Sequence, residues 1–348
     1  MSYSLESLLI TGGAGFIGSN LVIHLVKNYP HYKIINLDKL TYAGTLENLK
    51  DVQENYRHVF IQGDICDTDL VNRLFIEHNI KGVIHLAAES HVDNSIHNPT
   101  AFVQTNVLGT LSLLNAAKAY WMEKPHLYKQ PYQDCRFHHV STDEVYGELG
   151  LEGSFKETDP YAPNSPYSAS KAGSDFLVRS YGHTFGLNTV ITNCSNNYGP
   201  RQHDEKLIPT IIRKALTRQP IPIYGKGQNI RDWLYVEDHI EAILAVYHQG
   251  KKGECYNIGS NCEKKNLELA YEICALLDKL KPLKEKSYYD FITFVEDRHG
   301  HDFRYAVNVE KIFNDLGWKA LGNFEKNLEK TIQFYIEKYS SPNSKGKS

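Results

Sequence analysis

The chain has 348 residues, and its 38 basic and 41 acidic side chains leave a net charge of −3. That size holds a large core without a disulfide or metal staple, and the near balance of charge argues against a protein built mainly around nucleic acid or an anionic membrane, while leaving room for a local basic pocket. No run approaches the ~18 apolar residues of a membrane span, and residues 1–30 lack the basic-then-apolar pattern of a leader. Six scattered cysteines (Cys66, Cys135, Cys194, Cys255, Cys262, Cys274) form no CxxC, and the 16 histidines form no HExxH. The expectation is a reduced, cytoplasmic chain with no metal site.

In chain order, a short apolar run at 8–11 leads into helical spacing over 16–28. Strand patterns at 33–38 and 59–62 are followed by a helical one at 70–78. A strand at 83–87 precedes a long helix at 100–119, and a strand at 136–141 precedes a helix at 166–185 and a strand at 189–193. Repeated βα units imply an α/β fold, a doubly wound Rossmann-type parallel sheet whose ligands lie at the carboxyl ends of the strands. After residue 195 the pattern changes to turn-rich segments, with separate amphipathic helices at 267–280 and 324–339. The expected division is a dinucleotide-binding domain of residues 1–195 plus about 231–260, and a smaller mixed α/β substrate domain of 196–230 plus about 261–339. The polar end 340–348 is expected to be a disordered tail.

Thr11-Gly12-Gly13-Ala14-Gly15-Phe16-Ile17-Gly18 joins a strand to a helix. Gly12, Gly15 and Gly18 would let the backbone approach a pyrophosphate at the helix N-terminus; on spacing alone a tight βα turn is the lesser alternative. Asp38 ends the next strand, 20 residues beyond Gly18. A carboxylate there accepts free ribose hydroxyls and repels a 2′-phosphate, which favours NAD over NADP. Asp64 ends the third strand, as an adenine contact or as a simple strand-end cap. The small residues of Leu86-Ala87-Ala88 end the fourth.

Tyr167-Ser168-Ala169-Ser170-Lys171 is a YxxxK at a helix start. A lysine one turn along the same face can stabilise tyrosinate and make a usable base. Tyr29/Lys33, Tyr120/Lys124 and Tyr247/Lys251 share the spacing; small neighbours and the Ser165-Pro166 start set Tyr167 apart. Just past the strand RFHHVS comes Thr142-Asp143-Glu144. Thr142 offers a hydroxyl to a substrate oxygen. An adjacent carboxylate pair can divide into one acid and one base, which suggests elimination of water; a solvated acidic loop is the plainer alternative.

TGGAGFIG, Asp38, STDEVYG and YSASK together resemble the extended short-chain dehydrogenase/reductase superfamily, and within it the dTDP-glucose 4,6-dehydratase family. The likeness runs from about residue 5 to 335 and includes DKLTYAGTLENL, AAESHVDNSI, NCSNNYGPRQ, EKLIP, PIYGKGQNIRDWLYVEDH and DRHGHDFRYAV, with His299 where the family usually has proline. The resemblance implies that C4 of the glucose is oxidised by NAD with Tyr167 as base. Glu144 then removes the C5 proton, Asp143 protonates the departing C6 hydroxyl, and hydride returns to C6. The product would be dTDP-4-dehydro-6-deoxy-glucose, for deoxysugar biosynthesis such as that of rhamnose.

The resemblance also assigns residues. NAD would be held by Gly12, Gly15, Phe16, Ile17, Gly18, Asp38, Lys39, Leu40, Thr41, Asp64, Ile65, Leu86, Ala87, Ala88, Ser90, Thr105, Tyr167, Lys171 and Asn197. The sugar nucleotide would be held by Ser90, Thr142, Asn196, Lys206, Leu207, Pro222, Ile223, Tyr224, Arg231, Asn266, Arg298 and His301. Taken singly, Lys206 and Arg231 read as surface charges and Tyr224 as core. A homodimer through the helices at 100–119 and 166–185 is the expected assembly. The rivals are another NAD-dependent nucleotide-sugar dehydratase, a UDP-hexose 4-epimerase, which would need only Thr142, Tyr167 and Lys171, and a non-catalytic NAD-binding scaffold.

Overall fold

The computed structural model describes residues 5–297 and 300–340. Seven parallel strands form the central sheet: β1 (Glu6–Thr11), β2 (Tyr32–Asp38), β3 (His58–Gln62), β4 (Ile80–His85), β5 (Arg136–Thr142), β6 (Thr189–Cys194) and β7 (Cys255–Ile258), in the order β7-β6-β5-β4-β1-β2-β3. The strands alternate between two cores. Leu8, Ile10 and Ile34 face one, packed with helices Phe16–Asn28 and Val236–Gln249. Leu9, Ile35 and Leu37 face the other, packed with Thr68–Glu77, Gly109–Trp121 and Pro166–Phe185. The sheet is therefore covered on both faces, as its continuous apolar strands require.

The order reverses between β1 and β4, which both pair with neighbours in matching register at their carboxyl ends: Thr11 opposes Leu37 on β2 and His85 on β4. At such a switch point the two outgoing loops part and leave a crevice. β4 stops at His85, two residues short of the expected strand 83–87. Leu86 and Ala87 instead turn over the glycine loop, the Leu86 amide on the Thr11 carbonyl and the Ala87 amide on the Thr11 hydroxyl, both at 3.2 Å.

The long helix expected at 100–119 is interrupted. Pro99–Phe102 and Gly109–Trp121 are α-helical, and Val103–Leu108 between them is a π-helical stretch. Within it Asn106 takes the Glu89 amide at 2.8 Å on its side chain, donates to the Glu89 carbonyl at 3.0 Å and donates to the Ser170 hydroxyl at 2.8 Å. Such bulges favour functional sites because they turn one side chain out of the regular helical face.

Beyond β6 the chain builds small sheets. Asn196–Tyr198 pairs with Ile230–Tyr235, which also takes Glu263–Lys265; Ile221–Tyr224 pairs in parallel with Ile292–Val295. Helices Leu207–Leu216, Asn266–Leu280 and Phe324–Ser340 pack against them in one apolar cluster that continues to Leu8 and Leu21 under the central sheet. Ser340 closes the last helix, which corrects the expected start of a disordered tail; residues 341–348 lie outside the described residues.

Candidate active site

At the end of β1 the chain turns through Gly12, whose φ of 73° favours glycine, and a Cβ there would stand 2.7 Å from the Ala87 nitrogen. A Cβ on Gly18 would stand 2.1 Å from the Gly12 carbonyl oxygen. These two bare backbones let the loop and the first turn of helix Phe16–Asn28 close on each other. That helix starts at Gly15 with no side-chain cap and no acidic residue in its first turn. The early amides of Phe16, Ile17 and Gly18, with their share of the helix dipole, face the cleft as an anion site.

Asp38 closes β2 with its carboxylate nearly buried, one oxygen on the Ala14 amide and the other on the Leu40 amide, both at 2.8 Å. Each oxygen keeps a lone pair for a ribose hydroxyl. Leu40 lines none of the cleft; it turns with φ 57° and packs its side chain into the core below. Lys39 and Thr41 face the cleft, and the Lys39 ammonium pairs with Asp64 at 2.7 Å. Burial raises the Asp64 carboxyl, but Lys39 and the Cys66 amide outweigh it and hold the group below its usual value. Ile65, Leu86, Ala87, Ala88, Ser90 and Thr105 complete this wall. A glycine cradle that a Cβ would fill, an uncapped helix start and a strand-end carboxylate together fit NAD.

Across the crevice, β5 ends at Thr142, whose hydroxyl caps a short 3₁₀ turn, Asp143–Tyr146, by accepting the Glu144 amide at 3.3 Å. Asp143 is 2% exposed; one oxygen takes the Thr142 hydroxyl at 3.3 Å. Burial, then the negative charges of Glu144 and Asp232, push its carboxyl well above the usual range, with Arg231 and the Thr142 hydrogen bond opposing. Two neighbouring carboxyls thus sit in different surroundings, Asp143 sealed in and Glu144 half-buried.

Helix Pro166–Phe185 delivers the YxxxK pair. Ser165 and Ser168 form a reciprocal capping box, Pro166 opens the helix, and Gly186 ends it at φ 73°. The Tyr167 ring meets Phe102 edge-on at 6.3 Å. Its hydroxyl is pushed well above the ordinary tyrosine value, first by burial and then by Glu144, with a hydrogen bond to Thr142 pulling the other way. The spacing argument expects Lys171 to supply the lowering directly. The Lys171 ammonium instead donates to the Val140 carbonyl at 2.9 Å, and burial lowers its own pKa against the attraction of Asp175.

Thr142, Asp143, Glu144, Tyr167, Lys171, Asn196, Asn197 and Lys206 all open on the same cleft as the glycine loop. Asn197 is steadied by buried His239, whose Nδ1 lies 2.8 Å from its side-chain oxygen. Lys206 reaches across to the Ser90 carbonyl at 2.9 Å and lies 3.7 Å from Glu205. The other expected substrate residues among the described residues lie off this lining. Leu207 opens helix Leu207–Leu216, Asn266 opens Asn266–Leu280, and Pro222, Ile223 and Tyr224 lie in the strand Ile221–Tyr224.

Arg231 is buried, with its guanidinium on the carbonyls of Ile230 and Asp302 at 2.7 and 2.8 Å and 4.4 Å above the Tyr305 ring. It is close enough to Asp143 and Tyr305 to act on both electrostatically, which ties it to the acid end of the cleft. His301 pairs with Asp297 at 2.7 Å and meets Tyr224 edge-on at 6.2 Å. Arg298 and His299 lie outside the described residues.

The model of the family described as GDP-mannose 4,6 dehydratase matches residues 9–331. A dTDP-glucose 4,6-dehydratase of Neisseria meningitidis is 53% identical over 337 residues, 96% of this chain and 94% of that protein. The chain belongs to the dTDP-glucose 4,6-dehydratase family. Two solved members agree in shape. The enzyme of Bacillus anthracis, in complex with NAD, superposes with a TM-score of 0.84 at 43% identity, covering 96% of this chain and 98% of the other. The enzyme of Streptomyces venezuelae, also with NAD bound, gives 0.86 at 42% identity with the same coverage.

Within this dehydratase cleft, reasoning from sequence missed Ser141, Cys194, Ser195, Gln202, His203 and Glu205 as lining residues, and Tyr305 beside Arg231. Glu205 gathers His91 at 3.7 Å, His203 at 3.6 Å and Lys206. The charged run His203-Asp204-Glu205-Lys206 was the available signal. Tyr305 lies in the DRHGHDFRYAV segment that carries the resemblance, which gave it no role of its own.

Proposed function

We propose that this chain converts dTDP-glucose to dTDP-4-dehydro-6-deoxy-glucose and water, using NAD that is regenerated in each turnover. The observation that carries this reading is buried Asp143, its carboxyl pushed above the usual range by that burial, beside half-buried Glu144 and in one cleft with Tyr167 and Lys171. An alcohol dehydrogenation or an epimerisation has no use for the acid.

Bound NAD would supply the hydride acceptor for C4 and the hydride donor for C6. Tyr167 accepts the O4 proton, the Thr142 hydroxyl steadies O4, and the positive charge of Lys171 favours the phenolate. A carbonyl at C4 acidifies the C5 hydrogen. Glu144 removes that proton, and Asp143, whose hold on its proton burial strengthens, hands its proton to the departing C6 hydroxyl. Glu144 returns the proton to C5. In net terms the O4 proton and the C6 hydroxyl leave as water, and the O4 proton that Tyr167 took makes good the one Asp143 gave.

Gly12, Gly15, Phe16, Ile17 and Gly18 would carry the cofactor pyrophosphate, and Asp38 its ribose. Lys206 and Arg231 would meet the substrate diphosphate, which needs cations, with Asn196, Asn266, Tyr224 and His301 further along the nucleotide. Residues 1–195 with about 231–260 form the cofactor unit in this reading, and 196–230 with about 261–339 the nucleotide-sugar unit. A homodimer is supported by the exposed apolar side chains Ile96, Val103, Leu108 and Phe176 around the two long helices. Unbridged cysteines suit a cytoplasmic enzyme of deoxysugar biosynthesis, rhamnose being one destination.

The test is incubation of the purified protein with dTDP-glucose, UDP-glucose and GDP-mannose in parallel, followed by the alkali-induced absorbance of a 4-keto sugar. Product from dTDP-glucose alone or far above the others supports the reading. A C4 epimer, or no keto sugar, contradicts it.

A further inference from the structure

Behind the YxxxK pair lies a carboxylate that the reaction above does not use. Asp175 follows Lys171 by one helical turn and is fully buried. Its Oδ2 accepts the Ser141 hydroxyl at 2.9 Å, the Tyr161 hydroxyl at 3.0 Å and the Asn193 amide at 3.3 Å. Its Oδ1 lies 3.2 Å from His139 Nε2. These partners come from β5, from β6 and from the loop before the helix, so the carboxylate has one fixed place. Lys171 is 4% exposed and donates to Val140, the residue before Ser141. Lysine and aspartate are therefore anchored on adjacent residues at the end of one strand, directly beneath Thr142.

An ammonium buried this deeply tends to lose its proton unless a negative charge faces it. The other titratable groups around the pair do not supply one. His139 and His85 are held neutral by burial and by Lys171 itself. The thiols of Cys194 and Cys255 and the hydroxyls of Tyr146 and Tyr161 are all raised by burial and keep their protons at neutral pH. Asp175 is raised to about 6 by burial, against the pull of Lys171 and its donors, and is ionised at neutral pH.

We propose that Asp175 is a positioning residue that keeps Lys171 charged and so holds Tyr167 competent as the base. The inference rests on the reading of Tyr167 given above. Asp175 touches neither substrate nor cofactor; its effect passes through the lysine. A purely structural knot would need the hydrogen bonds of Asp175 but not its charge, and Asp175→Asn separates the two, since it keeps the volume and much of the bonding.

The experiment mixes holoenzyme with dTDP-glucose, follows the 340 nm rise of reduced nicotinamide across the neutral pH range, and measures bound NAD per chain. Asp175→Asn is expected to retain NAD, to slow the rise ~10-fold at neutral pH and to move the ascending limb of the profile ~1 unit to higher pH; Asp175→Glu restores both. Tyr161→Phe keeps the charge but removes one donor to it, so Asp175 protonates nearer neutrality and the limb moves the same way. An ascending limb unmoved in folded Asp175→Asn, whatever its rate, overturns the inference. If that variant does not fold, an unmoved limb in Tyr161→Phe overturns it equally. A wild type silent towards dTDP-glucose overturns the base assignment and this inference with it, whereas a wild-type signal with unmoved variants overturns this inference alone.

Discussion

The Asp38 carboxylate accepts the Ala14 amide at 2.8 Å, so the residue proposed to read the ribose is tied to the glycine loop proposed to receive the pyrophosphate. One side chain thus sets both the charge and the spacing of the two ends of a dinucleotide site.

Replacing Asp38 with alanine removes the charge that opposes a 2′-phosphate and frees two amides. NAD binding should weaken ~10- to 100-fold, as expected for a charged hydrogen-bonding group of ~1.5–3 kcal/mol, while NADP becomes a competitor. Isothermal titration of the stripped protein with both dinucleotides checks this. Wild-type protein that purifies with stoichiometric NADP would contradict it.

Asn106 bonds both backbone groups of Glu89 from within the π-helical stretch. Asn106→Leu leaves those groups unpaired inside the protein, at a cost of ~1–3 kcal/mol each. A melting temperature lowered by several degrees, with NAD retention reduced through displaced Thr105, is the expected result. An unchanged melt would contradict this.

Asp143 stores a stability cost that function requires. Burial raises its folded pKa well above the unfolded value, so the folded chain holds a proton that the unfolded chain has already released. The favourable contribution is complete below the unfolded pKa of ~3.9 and is lost as pH rises through the folded pKa. Asp143→Asn should therefore melt ~2 °C or more above wild type at alkaline pH and together with it in acid. A variant less stable than wild type at high pH would contradict the raised pKa.

The exposed apolar side chains of Phe176 on helix Pro166–Phe185 and of Ile96, Val103 and Leu108 on the helical segments before Gly109–Trp121 predict a dimer. Phe176 is 54% exposed and Leu108 51%. Light scattering at micromolar concentration should give twice the chain mass, and Phe176→Glu should shift it towards the monomer. A monomeric wild type would contradict the assembly.

Much of this architecture was legible where the signal is local. Helix Phe16–Asn28 and helix Pro166–Phe185 have the expected limits because each carries its own stops, glycines before the first and Ser165-Pro166 and Gly186 around the second. The π-helical stretch was not legible, and the partners of its Asn106, Glu89 and Ser170, lie 17 and 64 residues away. Nor was the sheet position of β7, a four-residue strand whose partner β6 lies some sixty residues earlier. In the site, residues on named motifs were visible. Asp175 was not, and Glu205 and Tyr305 lay within quoted segments without a role, since a lone side chain acquires meaning only from partners on other elements.

The central claim is that Asp143 and Glu144 eliminate water after Tyr167 and Lys171 have enabled oxidation. The most direct measurement is a single turnover of Asp143→Asn with dTDP-glucose, following 340 nm absorbance and keto-sugar formation together. Loss of a general acid slows its own step ~10²–10⁴-fold. The 340 nm signal should rise at the wild-type rate, accumulate and decay slowly. Glu144→Gln should likewise oxidise but fail to exchange the C5 hydrogen with solvent deuterium, and Tyr167→Phe should suppress the signal itself. Dehydration at wild-type rates in both Asp143→Asn and Glu144→Gln would contradict the account.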